Sequence, residues 1–289
     1  MAHLHAILAT ESPLAVLIKR GPGRCSGLFR WDRRSDTFEN GQWLKQKLDH
    51  DGADLSPDGR LFVYFVNTQR YGREHSVYRA VSRPPWLKAL SFWSSKSWLD
   101  GPGTALFFRD RDKSLKLHAM DHGAAWNHLG IKTAQELPHF PPWTSFNPGP
   151  LLWTRLQRDG WIVTSPRTQP SIEDVIAKRV DWLELERQQP TLERSLPGGW
   201  ALQQVHRLCS GNQPNQGIAV QSFSLLPPTA EPIPMPTWEW ADFDAPRKRL
   251  VWTAGCTLFA TPWTRRGLGK PRVLLDTTDV NFEAKQAPY

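Results

Sequence analysis

ADLSPDGRLFVYFV, residues 53–66, places a Pro57-Asp58-Gly59 turn directly before a run of apolar and aromatic residues. Proline presets φ and glycine tolerates the positive φ that a tight turn needs, so the stretch predicts a turn feeding a strand. A near-copy lies far downstream. ADFDAPRKRLVWTA, residues 241–254, aligns with it without a gap, pairing Ala53-Asp54-Leu55 with Ala241-Asp242-Phe243 and Leu61 to Tyr64 with Arg249 to Trp252. A shorter relative, FNPGPLLWTRL at 146–156, predicts a strand over Leu151 to Thr154.

A second element recurs as well. CSGLFRWD (25–32), GTALFFRD (103–110) and CTLFATPW (256–263) each carry a Leu-Phe pair, then lead through a turn to TFENGQWL, SLKLHAM or PRVLLD. Strands that cross, turn on polar residues and return form meanders, and repetition at a fixed period marks a repeat architecture. The last copy, residues 238–276, compresses four short strands into the length of one propeller blade.

The SPDG turn followed by an aromatic strand resembles the repeat of TolB/WD40-like β-propellers. That resemblance implies an all-β propeller, and 289 residues accommodate about five blades, with six as the alternative. One domain over 1–289 is expected, with the strand-like AHLHAIL at the N-terminus closing the last blade. Two helical insertions are predicted. PSIEDVIAKRVDWLELER (170–187) keeps Ile172, Val175, Ile176, Val180 and Leu183 on one helical face, and HGAAWNHLGIKTAQEL (122–137) holds a shorter one.

Composition narrows the class. Three cysteines, Cys25, Cys209 and Cys256, stand far apart without paired spacing, which fits a reduced, cytoplasmic setting better than a disulfide framework. No apolar run approaches twenty residues, so no membrane span is expected, and the N-terminus lacks the basic start of a signal peptide. The formal net charge of +8 favours anionic partners, either an acidic protein or nucleic acid. Basic turns recur at RWDRRSD (30–36), RDRDKSLK (109–116), APRKRL (245–250) and TRRGLGK (264–270), although two of them interleave Asp with Arg.

No phosphate loop, GxSxG elbow, HExxH or CxxC motif is present, so the sequence implies no cofactor. In HAMDHGAAWNH, residues 118–128, His118, Asp121, His122 and His128 are metal-competent, but no complete ligand set can be argued and no metal is expected there. Asp54 and Asp242 repeat, and each is read as capping the amides of its own turn rather than as catalytic. A five-bladed glycan hydrolase or lectin would need Asp54, Asp110, Glu239 or Asp242 to converge on one cavity.

The favoured reading is a non-catalytic scaffold that binds a protein partner through one face. Three loops carry tryptophan and arginine, the residues enriched at interface hot spots: RPPWLKAL, HFPPWTSF and TPWTRR. They nominate Arg83, Trp86, Trp143, Trp263, Arg265 and Arg266. The competing reading makes Trp86, Trp143 and Trp263 wedges packed between sheets. A basic-faced nucleic-acid-binding accessory protein is the remaining alternative.

Overall fold

The computed structural model describes residues 2–68, 75–95, 105–109, 114–119, 127–134, 152, 155–165, 191–207, 220–264 and 267–289. The chain divides into two compact units, residues 1–140 with 275–289, and residues 141–274. Each is a run of blade-like, mostly antiparallel sheets, the local pattern of a β-propeller.

In the first unit, β1 (His3–Leu8), β2 (Leu14–Arg20), β3 (Ser26–Asp32) and β4 (Thr37–Leu44) form one four-stranded meander. β5 (Leu48–Leu55), β6 (Phe62–Asn67), β7 (Val77–Ser82) and β8 (Ser91–Ser95) form the next. A three-stranded sheet follows, with β9 (Ala105–Arg109) antiparallel to β10 (Leu115–Ala119) and β10 parallel to β11 (Lys132–Ala134). The leading strands are neighbours, β5 packing beside both β1 and β9.

The SPDG stretch forms the β5–β6 turn. Gly59 sits at φ +75°, its amide donating to the Ser56 carbonyl at 2.8 Å, while the Ser56 hydroxyl accepts from Leu61 N at 2.9 Å. Alternate residues of β6, Phe62, Tyr64 and Val66, then build the core with Leu48 and Leu55 of β5, packed against Ile7, Val16 and Leu28 of the preceding sheet. Val63 and Val81 point the other way, onto Phe107 and Leu117 of the three-stranded sheet.

In the second unit, β12 (Ile162–Ser165), β13 (Thr191–Ser195), β14 (Ala201–Arg207), β15 (Val220–Leu226) and β16 (Ile233–Met235) make a five-stranded sheet. β17 (Trp240–Asp244), β18 (Arg249–Ala254), β19 (Thr257–Thr264) and β20 (Gly267–Leu268) form another, and β21 (Arg272–Asp276) also pairs with β19. Its core is aromatic: Trp238 stacks on Trp252 at 4.9 Å, Trp252 on Phe259 at 5.5 Å, and Trp200 meets Trp263 edge-on at 5.5 Å.

Several expectations are corrected. Four sheets with the strands of a full blade are described where five blades were expected, the β9–β11 sheet being smaller. β1 pairs with β2 along its whole length. The strand expected over Leu151 to Thr154 is not formed at Leu152, which is helical, as are 155–158. Leu152 and Leu156 sit four apart, a helical spacing that the short Pro-Gly turn signal obscured. The predicted helix 170–187 lies outside the described residues. Within 122–137 the described part is a 3-10 turn, Asn127–Leu129, and the strand β11.

Candidate functional site

The segment after β21 returns to the first unit and lies over it without joining a sheet. Its grip is mainly on the main chain. Lys19, buried on β2, donates to the carbonyls of Thr277 and Val280, the latter at 2.7 Å. Lys285 Nζ donates to the Asn40 carbonyl at 3.1 Å, and Gln42 Nε2 donates to the Lys285 carbonyl at 3.2 Å. Phe282 meets the edge of Trp43 at 6.4 Å and lies under Lys45.

The segment ends on the 83–90 loop. Tyr289 accepts a hydrogen bond from Arg83 N at 3.1 Å through its hydroxyl, which in turn donates to the Lys88 carbonyl at 3.0 Å. Arg83 and Lys88 both stand over its ring, at 5.4 and 5.5 Å, and Lys88 also donates to the Tyr289 backbone oxygen. Burial pushes the Tyr289 phenol up, while the Arg83 amide and charge pull it down.

β4 holds this loop in place. Gln42 N donates to the Pro85 carbonyl at 3.0 Å and Gln42 Oε1 accepts from Leu87 N at 2.8 Å. Gly41 is required beside it, since a Cβ there would lie 2.0 Å from the Pro85 oxygen. Tyr64 adds a hydroxyl bond to the Leu87 carbonyl at 2.5 Å.

The nominated residues thus fall in different places. Arg83 is exposed and Trp86 half-buried on one loop, beside the returning segment. Trp263 is buried in the core of the second unit, with its indole N–H donating to the Pro197 carbonyl at 3.0 Å, so its placement is that of a core side chain. Trp143, Arg265 and Arg266 lie outside the described residues. Of the histidine cluster, His118 is on β10, Asp121 and His122 lie outside the described residues, and His128 is exposed, with Nε2 3.1 Å from the Leu90 carbonyl.

The repeated aspartates reach beyond their own turns. Asp54 is buried and its Oδ2 accepts from Phe107 N at 2.7 Å, joining β5 to β9. Asp242 receives Arg194 of β13, and its Oδ1 also accepts from the neighbouring Phe243 N at 2.7 Å. Ser56 and Asp58 cap the turn between β5 and β6. Of the remaining carboxylates considered, Asp110 lies outside the described residues and Glu239 is exposed, its pKa raised by partial burial and lowered in part by a backbone hydrogen bond at Gly255.

Parts of the basic turns are consumed internally. Arg33 is buried and donates to the carbonyls of Ala9, Ser12 and Pro13 at 2.8, 2.6 and 3.2 Å. Arg249 is buried against Asp244 at 2.8 Å, and Arg30 pairs with Glu39 at 2.6 Å. The returning segment's contacts were not anticipated from the sequence. The aromatic tips Phe282 and Tyr289 in an otherwise polar stretch were the available signal.

Two comparisons, with family models and with curated proteins, found no match. Among solved structures, the chain is similar to the uncharacterized protein lmo1340 from Listeria monocytogenes EGD-e, at 7% identity and TM-score 0.32, covering 95% of this chain and 83% of that one. It is also similar to prolyl oligopeptidase B from Galerina marginata, at 12% identity and TM-score 0.25, covering 93% of this chain and 44% of that one. No helix among the described residues is long and apolar enough to cross a membrane.

Proposed function

We propose that this chain is a non-catalytic protein-interaction scaffold that engages its partner through the 83–90 loop and the surface around it. One observation carries the reading: this surface already holds a peptide segment, residues 277–289, chiefly through contacts to backbone carbonyls from Lys19, Gln42 and Lys88. Contacts to main-chain atoms tolerate sequence variation, while aromatic and cationic groups such as Trp86, Arg83 and Lys88 supply anchoring. The cations of the 83–90 loop, Arg83 and Lys88, fit an acidic segment as the partner, and Trp143, Arg265 and Arg266 remain nominated for binding from the sequence alone. The SPDG-type repeats support a propeller of the TolB/WD40-like kind, working in the cytoplasm.

The glycan-hydrolase alternative draws little support from Asp54 and Asp242, whose carboxylates are committed to Phe107 N and Arg194. The test is affinity capture from the native host at two salt concentrations, with and without nuclease, read by mass spectrometry. A stoichiometric protein that survives both treatments supports the scaffold. Recovery confined to low salt and abolished by nuclease replaces it with nucleic-acid binding.

A further inference from the structure

We propose that β1 and the bulged start of β5 form a binding site for one divalent transition-metal ion, with Asp49, His50 and Asp51 as ligands and His5 as the fourth. The ligand atoms of Asp49, His50 and Asp51 lie within 4.8 Å of one another. The pairing of β5 with β6 shifts register between Asp49 and Asp54, and this irregularity gathers three consecutive side chains that a regular strand would send to opposite faces. His50 Nε2 is 3.4 Å from Asp51 Oδ1.

β1 brings a second imidazole. His5 is 5% exposed, and its ring centroid lies 4.3 Å from that of His50 with the planes tilted by 49°. His3, two residues earlier on the same face of the strand, stands edge-on to His50 at 6.1 Å. His3 Nε2 is 3.4 Å from Arg20, whose guanidinium also approaches Asp49 at 3.9 Å. Arg20 thereby orients one carboxylate from behind and takes His3 out of the ligand set.

The donor chemistry selects the ion. Two imidazoles and two carboxylates suit Zn²⁺ and its neighbours; Mg²⁺ and Ca²⁺ prefer all-oxygen shells. Two carboxylates balance the charge of a dication. The site lies where the leading strands of two successive sheets meet, so a bound ion would fasten β1, an edge strand, to β5.

The experiment is Zn²⁺ titration of the chelator-treated full-length chain by calorimetry, with the Co²⁺ visible spectrum as a second readout. The expected result is one ion per chain and a Co²⁺ spectrum of tetrahedral nitrogen–oxygen coordination. Affinity should fall at least about tenfold in His50→Ala and in Asp51→Asn. His50 is half-buried, and Asp51→Asn keeps the size and shape of a buried side chain, so these variants should keep the wild-type circular dichroism, whereas His5→Gln changes the shape of a buried side chain and is read only if it folds. His75→Ala and His128→Ala, which remove exposed histidines, should leave affinity unchanged. The proposal is overturned if the wild type binds no tighter than the folded His50→Ala, Asp51→Asn double variant, or if the exposed-histidine variants abolish binding.

Discussion

Asp54 accepts the amide proton of Phe107, a buried backbone group that would otherwise face an apolar interior. Asp54→Ala should therefore lower stability by about 1–3 kcal/mol, the cost of leaving such a donor unmade, measured as a denaturation midpoint. His206 is a second informative residue. It is fully buried, and burial depresses its pKa to about 4. Above about pH 6.5 the ring is neutral in both folded and unfolded chains and contributes nothing to the slope. As pH falls from 6.5 to 4, the unfolded chain takes up a proton that the folded chain refuses, so stability is lost, by up to about 3 kcal/mol. Thermal melts of His206→Phe should be flatter across that window than those of the wild type. The recurrence of Asp54 and Asp242 was legible in the sequence, but their role was not. A short carboxylate can reach its own turn or a neighbouring sheet, and only the packing decides between the two.

At the scale of elements, the strands read most clearly where the pattern was local. TFENGQWL coincides with β4, CSGLFRWD contains β3, and RLVWTA is β18. Each joins a run of strand-favouring residues to a flanking turn, and both signals sit in consecutive residues. The grip of 277–289 on β2, β4 and the 83–90 loop was invisible, because it joins residues some 200 or more apart through backbone carbonyls, which no side-chain pattern records. At Gly41, β4 runs too close to Pro85 of the loop to admit a side chain. Gly41→Val should cost about 1–3 kcal/mol through the collision with Pro85, and it should raise proteolytic cleavage within 83–90. Tyr289→Ala should spare global stability while accelerating hydrogen exchange at 83–90, since it removes the hydroxyl bonds to Arg83 and Lys88.

At the scale of the whole molecule, two units each carry their own core, one aliphatic around Leu48, Leu55 and Val16, the other aromatic around Trp238, Trp252 and Trp263. The sequence signalled this richness in tryptophan but not its division of labour. Trp263→Ala should destabilise the second unit by about 3–5 kcal/mol, as loss of a buried indole does, whereas Trp86→Ala should leave the fold intact and weaken partner capture. The all-β class followed from the turn-and-strand repeat; the smaller third sheet did not, because a repeat alignment counts motifs and not the strands that pair around them. The scaffold reading rests on one surface, and hydrogen exchange of the chain alone and in complex with its captured partner tests it most directly. The account predicts new protection at 83–90 and altered protection at 277–289. Protection confined to residues 141–274, with 83–90 and 277–289 unchanged, would contradict it.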